Sequence, residues 1–187
     1  MDGLAFHLVR RGEPAEAWQD YEHPVQISLE EAFTGTKRVL QMETRRIEVT
    51  IPPGVDTGSR VRVFGEGGPG VGGRAKGDLY LKIEVLPNEA FRREGADLYA
   101  EVPIELYTAI LGGEVAVRTL KNQVMLRIPS ETQSGRRFRL KGLGMPTLQS
   151  PKQRGDLYID ARIVLPQQLS ANEKALFTQL ATLRNSS

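Results

Sequence analysis

The 187-residue sequence contains no cysteine and two histidines, His7 and His23. Disulfides and thiolate metal sites are therefore excluded, and a histidine-rich metal site is not expected. Aromatic residues make up 6%, with a single tryptophan, Trp18. No apolar run approaches the roughly 18 residues of a membrane span. The start, MDGLAFHLVRRG, lacks the order of basic, apolar and small residues of a signal peptide, which makes the cytosol the expected compartment. Net charge is only +2, too small to demand nucleic acid as partner. Charged residues are 26% and hydrophobic residues 40%, an ordinary globular balance.

What the sequence does hold is a duplication. Ile51–Gly67, IPPGVDTGSRVRVFGEG, returns at Ile128–Gly144 as IPSETQSGRRFRLKGLG. Ile51 and Ile128, Gly58 and Gly135, Gly65 and Gly142, and Gly67 and Gly144 each stand 77 residues apart. Upstream, VQISLEEAFTG matches VPIELYTAILG; downstream, GDLYLKIEVLP matches GDLYIDARIVLP. A period this long is too large for a solenoid and implies two tandem copies of one β-rich unit.

Within each copy, alternation of apolar and polar residues predicts strands. Val25–Leu29, Lys37–Met42 and Ile47–Ile51 alternate, the last two as a hairpin, and Tyr80–Val85 closes the first copy. Strands at Glu114–Thr119, Val124–Ile128, Arg136–Leu140 and Asp156–Leu165 follow in the second. Ser28 with Glu31 forms a capping box for a short helix ended by Gly35, and a matching helix spans Leu106–Leu111. Ser170 with Glu173 opens a third helix, Ala171–Leu183, whose Leu176, Leu180 and Leu183 share a face beside Phe177. That face needs a cover, on the second unit or on another copy of the chain. The expected division is a linker or arm at 1–21, a first domain at 22–95, a second at 96–168, and a helix with tail at 169–187.

Catalytic signatures fail one by one. Gly65, Gly67 and Gly70 satisfy G-x-G-x-x-G, but Pro69, Gly72 and Gly73 exclude the helix that would receive a phosphate. Glu30 and Glu31 fall in a helical first turn, where negative charge suits the dipole. Asp78, Asp97 and Asp156 recur in one context, DLY, which favours a structural role at strand entry over an active site. No nucleophile stands with a base, so no enzyme, cofactor or metal is expected. Arg60, Arg62, Arg136, Arg137, Arg139 and Lys141 alternate with apolar residues; that pattern fits a solvated strand face, with a shallow phosphate-binding face as the alternative.

These spaced motifs, with VQISLEEAFTGTKRVLQM and GDLYLKIEVLPNEAFRREGADLY added, resemble the C-terminal substrate-binding region of DnaJ-family co-chaperones over about Glu22–Leu183. Without cysteine the chain is similar to the class lacking a zinc-binding insertion, which includes a curved-DNA-binding bacterial homologue. The J-domain and its His-Pro-Asp motif are not in this sequence; His23-Pro24 is followed by Val25, so a fragment beginning in the linker is expected.

The resemblance implies a mainly β fold. Its parts are two tandem sandwich- or barrel-like domains, each with a short helix, and a C-terminal helix that dimerises the protein through Leu176, Phe177, Leu180 and Leu183. It implies an apolar groove on the first domain at Val25, Ile27, Leu40, Met42 and Phe91, taking extended segments of unfolded clients for delivery to a DnaK-type chaperone. Lys37 and Arg38 match a basic rim that in some members holds that partner's acidic tail, although Gln41 stands where others carry a further lysine. DNA binding through the basic strands is the alternative function.

Overall fold

The structure is a computed structural model, and it describes residues 20–42, 45–68 and 76–185, with the side chain of Arg45 excepted. Trp18, most of the expected arm and Gly70 of the glycine loop lie outside the described residues. Backbone proximity divides the chain into two interleaved units. The first holds the described residues up to Ile27, with Lys37–Ile51 and Asp56–Val85; the second holds Ser28–Thr36, Pro52–Val55 and Leu86 onward.

In the first unit, β1 (Tyr21–Ile27), β4 (Arg60–Val63) and β5 (Leu79–Val85) form a three-stranded sheet in the order β1-β5-β4. The first and last strands of the copy run parallel, with Val25 opposite Ile83 and Ile27 opposite Val85. β4 pairs antiparallel on the other side of β5. A separate two-stranded sheet joins β2 (Thr36–Met42) to β3 (Arg45–Ile51). Alternation along these strands turns Val25, Ile27, Ile47, Val49, Leu81 and Ile83 inward, all buried. Removal of such side chains from water is the main driving force of the fold.

The second unit repeats the plan with one strand more. β7 (Asp97–Glu105), β10 (Arg137–Leu140) and β11 (Leu157–Val164) match β1, β4 and β5, and β7 again runs parallel to β11. β6 (Arg92–Glu94) adds itself to the outer edge of β7, giving the order β10-β11-β7-β6. Residues 87–95 carry no strand alternation in the sequence; β6 forms because the turn at Gly95, with φ +61°, folds Arg92–Glu94 back on β7. β8 (Gly113–Arg118) and β9 (Gln123–Ile128) form the second hairpin.

All three helices fall where capping and periodicity place them. α1 (Leu29–Thr34) starts at Ser28, whose hydroxyl accepts the Glu31 N–H at 3.2 Å while the Glu31 carboxylate accepts the Ser28 N–H at 2.9 Å. In the second unit, α1 places the Phe33 ring under the Arg154 guanidinium, 4.7 Å from its centroid. The Ala32 carbonyl there accepts the Gly54 N–H at 2.8 Å. α2 (Leu106–Leu111) has no side-chain cap. α3 (Ala171–Asn185) opens on a second capping box, with the Ser170 hydroxyl accepting from Glu173 at 3.2 Å. The fold is mainly β with open sheets, as the duplication implies.

Candidate functional site

The hairpin β2–β3 is one place where apolar side chains of the first copy meet water; Phe64, just past β4, is another. Alternation puts Arg38, Leu40 and Met42 on one face of β2, all half-buried, and Lys37, Val39 and Gln41 on the other, all exposed. The second copy differs at the same places. A shift of 77 residues carries Leu40 to Val117 and Met42 to Thr119, which are 1% and 5% exposed. Thr119 is committed to a turn: its hydroxyl donates to the Asn122 carbonyl at 2.8 Å and accepts the Asn122 N–H at 3.0 Å.

The hairpin carries its own electrostatic pattern. Lys37 Nζ donates to Glu48 Oε1 at 2.7 Å, and this bond holds the ammonium pKa above its ordinary value. Arg46 Nε donates to Gln41 Oε1 at 3.0 Å. The cation that an acidic tail would use at Lys37 is therefore already shared with Glu48.

The remaining expected groove residues are distributed more widely. Val25 and Ile27 belong to the first unit, in its three-stranded sheet rather than the hairpin, and are 7% and 1% exposed. They can supply a floor and no open surface. Phe91 belongs to the second unit and is buried. Its N–H donates to Asn88 Oδ1 at 3.0 Å, and its ring lines a half-open cleft of about 410 Å³ with Leu29, Leu86 and Leu120. Its polar lining includes Glu30, Asn88, Glu89 and Arg118, and nothing in the sequence signals that they line one cleft.

On α3 no residue is buried. Leu176, Leu180 and Leu183 are all more than half exposed. Phe177 is half-buried and stacks on Tyr107 of α2, with ring centroids 6.5 Å apart. Leu176 and Leu180 on the apolar face of this helix therefore stand largely in water.

Several of the strand arginines are held by acids. Arg60 pairs with Glu22 at 2.8 Å, Arg137 with Asp160 at 2.7 Å and Arg162 with Glu101 at 2.6 Å. Arg62 and Arg139 bind Asp78 and Asp156, whose other oxygens accept the N–H of Gly65 at 2.8 Å and of Gly142 at 2.7 Å. Asp78 and Asp156 are thus braces at strand entry. A phosphate backbone would have to displace these carboxylates.

The profile of the DnaJ C terminal domain matches residues 21–166, most of the chain. The chain belongs to the DnaJ C-terminal domain family. It is 43% identical over 170 residues to Chaperone protein DnaJ 2 of Thermus thermophilus, covering 91% of this chain and 59% of that protein. It is 45% identical over 152 residues to Chaperone protein DnaJ of Bartonella quintana, covering 81% of this chain and 40% of that protein. To the Chaperone protein DnaJ of Methanothermobacter thermautotrophicus it is 49% identical over 141 residues, 75% of this chain and 37% of that protein. The chain thus spans about two-fifths to three-fifths of the length of these relatives. The DnaJ family is not enzymatic. Among the described residues no group of His, Cys, Asp and Glu could hold a metal ion, and no helix is long and apolar enough to cross a membrane.

Proposed function

We propose that this chain is the client-binding part of a DnaJ-type co-chaperone of the class without a zinc-binding insertion. It holds extended apolar segments of unfolded proteins in the cytoplasm and passes them to a DnaK-type chaperone. The observation that carries this reading is the partly exposed pair Leu40 and Met42, set against the buried Val117 and Thr119 at the matched positions. Membership of the family and the chaperone names of its relatives support it.

In this reading residues 22–95 act as the client-binding domain and 96–168 as its structural repeat. A client lies along β2, with main-chain hydrogen bonds giving affinity and apolar side chains giving loose preference. Methionine suits such promiscuous contact because it is flexible and polarizable. Val25 and Ile27 shape the apolar surroundings, and Lys37 and Arg38 form the basic rim that meets the partner chaperone's acidic tail. Residues 169–187 dimerise the protein through Leu176, Phe177, Leu180 and Leu183. Two weak grooves on one dimer then hold one long client better than either does alone.

The test is a titration of a labelled apolar peptide together with an aggregation-suppression assay. Replacement of Leu40 and Met42 by serine is expected to weaken peptide binding by roughly tenfold or more and to abolish suppression. Unchanged affinity in that variant refutes the assignment.

A further inference from the structure

The cleft lined by Phe91 in the second unit has a construction that client holding at β2 does not use. Two rigid turns form its walls. On one side Asn88 Oδ1 accepts the N–H groups of Ala90 and Phe91 at 2.9 and 3.0 Å, while its amide donates to Glu30 Oε1 at 2.9 Å. On the other side Thr119 Oγ1 accepts the N–H groups of Lys121 and Asn122, fixing the segment that carries Arg118 and Leu120. Neither wall has to be ordered when a ligand arrives, which removes part of the usual entropic cost of binding. Between them, Leu29, Leu86, Phe91 and Leu120 give an apolar floor, and the volume of about 410 Å³ lies in the range of ligand sites.

The charge of this cleft is lopsided. Glu30 and Glu89 line it as exposed carboxylates against one guanidinium, Arg118. Glu89 makes no ion pair with any described residue. Glu30 stays ionised: a hydrogen bond from its own backbone N–H holds its carboxyl below the ordinary glutamate range, and Arg118 acts in the same direction. The first copy cannot build an equivalent wall, because Met42 stands where Thr119 makes the turn.

We infer that this cleft is a separate subsite for an extended peptide segment in which an apolar side chain is flanked by a lysine or arginine. The apolar side chain fills the floor beside Phe91, the basic one meets Glu30 and Glu89, and Arg118 donates to carbonyls of the segment's backbone. The inference deepens the client-binding reading and rests on it. It adds a preference for basic over acidic flanks that β2, with Lys37 and Arg38, does not supply.

The test uses the full chain and two fluorescein-labelled nonapeptides, each with a central Leu-Leu in a Ser/Gly background, one flanked by lysines and one by glutamates. Anisotropy at low salt is expected to show roughly fivefold tighter binding of the lysine-flanked peptide, the scale of exposed ion pairing. The double variant Glu30→Gln with Glu89→Gln keeps the acceptor for Asn88 and is expected to erase that preference. Ala90→Trp, which fills the cleft from an exposed position, is expected to erase it as well. Leu40→Ser with Met42→Ser weakens both peptides while the ratio between them persists. Amide shifts on titration fall at Ala90, Phe91 and Leu120. A preference that survives the glutamine variant, or shifts confined to β2, overturns the inference and leaves the client reading standing. Failure of both peptides to bind the unaltered chain removes both.

Discussion

In the first copy Asp78 joins Arg62 to the Gly65 N–H, and its own N–H donates to Asp20 at 2.9 Å. In the second, Asp156 joins Arg139 to the Gly142 N–H, and its own N–H donates to Asp97 at 2.8 Å. Four groups and three bonds thus recur, 77 or 78 residues apart. The hairpins, by contrast, have diverged. Arg38, Leu40 and Met42 of β2 are replaced by Val115, Val117 and Thr119; Val115 stays half-buried, while Val117 and Thr119 are buried where Leu40 and Met42 are not. Lys37 has become Glu114. In either copy the brace ties the loop after one strand, β4 or β10, to the start of the next, β5 or β11. The hairpin face is free to change because none of these brace bonds depends on it.

The largest effect that tests this equivalence is steric. A Cβ at Gly67 would stand 2.5 Å from the Asp78 carbonyl oxygen, and one at Gly144 would stand 2.5 Å from that of Ala96. Gly67→Ala and Gly144→Ala are each expected to cost about 3 kcal/mol or more, read from urea denaturation. A cost in one copy alone breaks the parallel between them.

The next test separates stability from function. Val117→Ala, at a sealed position, is expected to lower stability by roughly 2 kcal/mol and to leave peptide affinity unchanged. Leu40→Ala, at a partly exposed position, is expected to cost less than about 1.5 kcal/mol while weakening peptide binding. The opposite pattern in the same two assays would remove the functional contrast between the hairpins.

The helix starts differ by about one hydrogen-bonded cap. Ser28→Ala removes the hydroxyl that accepts the Glu31 N–H on α1, leaves the Ser28 backbone N–H bond to the Glu31 carboxylate, and is expected to cost about 1 kcal/mol. Glu105→Ser on the uncapped α2 is expected to gain up to about 1 kcal/mol. Denaturation midpoints of the two variants should therefore move in opposite directions.

The smallest effect is on the acid limb. Hydrogen bonds from Gly65 and Gly142, with Arg62 and Arg139 beside them, lower the pKa of Asp78 and Asp156 in the folded state. A depressed native pKa adds stability that is full above the ordinary aspartate value of about 4 and is lost as pH falls through the lower native one. Asp78→Asn and Asp156→Asn should each flatten the fall in midpoint below about pH 4, modestly, because Arg62 and Arg139 are half in solvent. An unchanged acid limb in both variants would mean the carboxylates titrate as they do unfolded.

Much of the fold was legible. Capping boxes at Ser28 and Ser170 announced two helices, and Gly112 closed the third. Alternation over 37–42 and 47–51 announced the first hairpin. It gave a face for each residue but no partner for a strand, so the parallel pairing of β1 with β5, and of β7 with β11, was not readable. Nor was β6, three residues long and without apolar alternation. Of the groove residues, Leu40 and Met42 were legible as a shared face. Their exposure was not, because alternation is the same whether a face meets core, partner or water.

The amino-acid sequence alone determined that there are two copies, which residues share a strand face, and where the carboxylate braces sit, since each follows from local periodicity and repeated spacing. Only tertiary structure decided that α1 and Pro52–Val55 fold with the second unit, and that Phe91 lines a cleft with Leu29 and Leu120. Those outcomes depend on which distant surfaces fit together, and no local pattern encodes that fit.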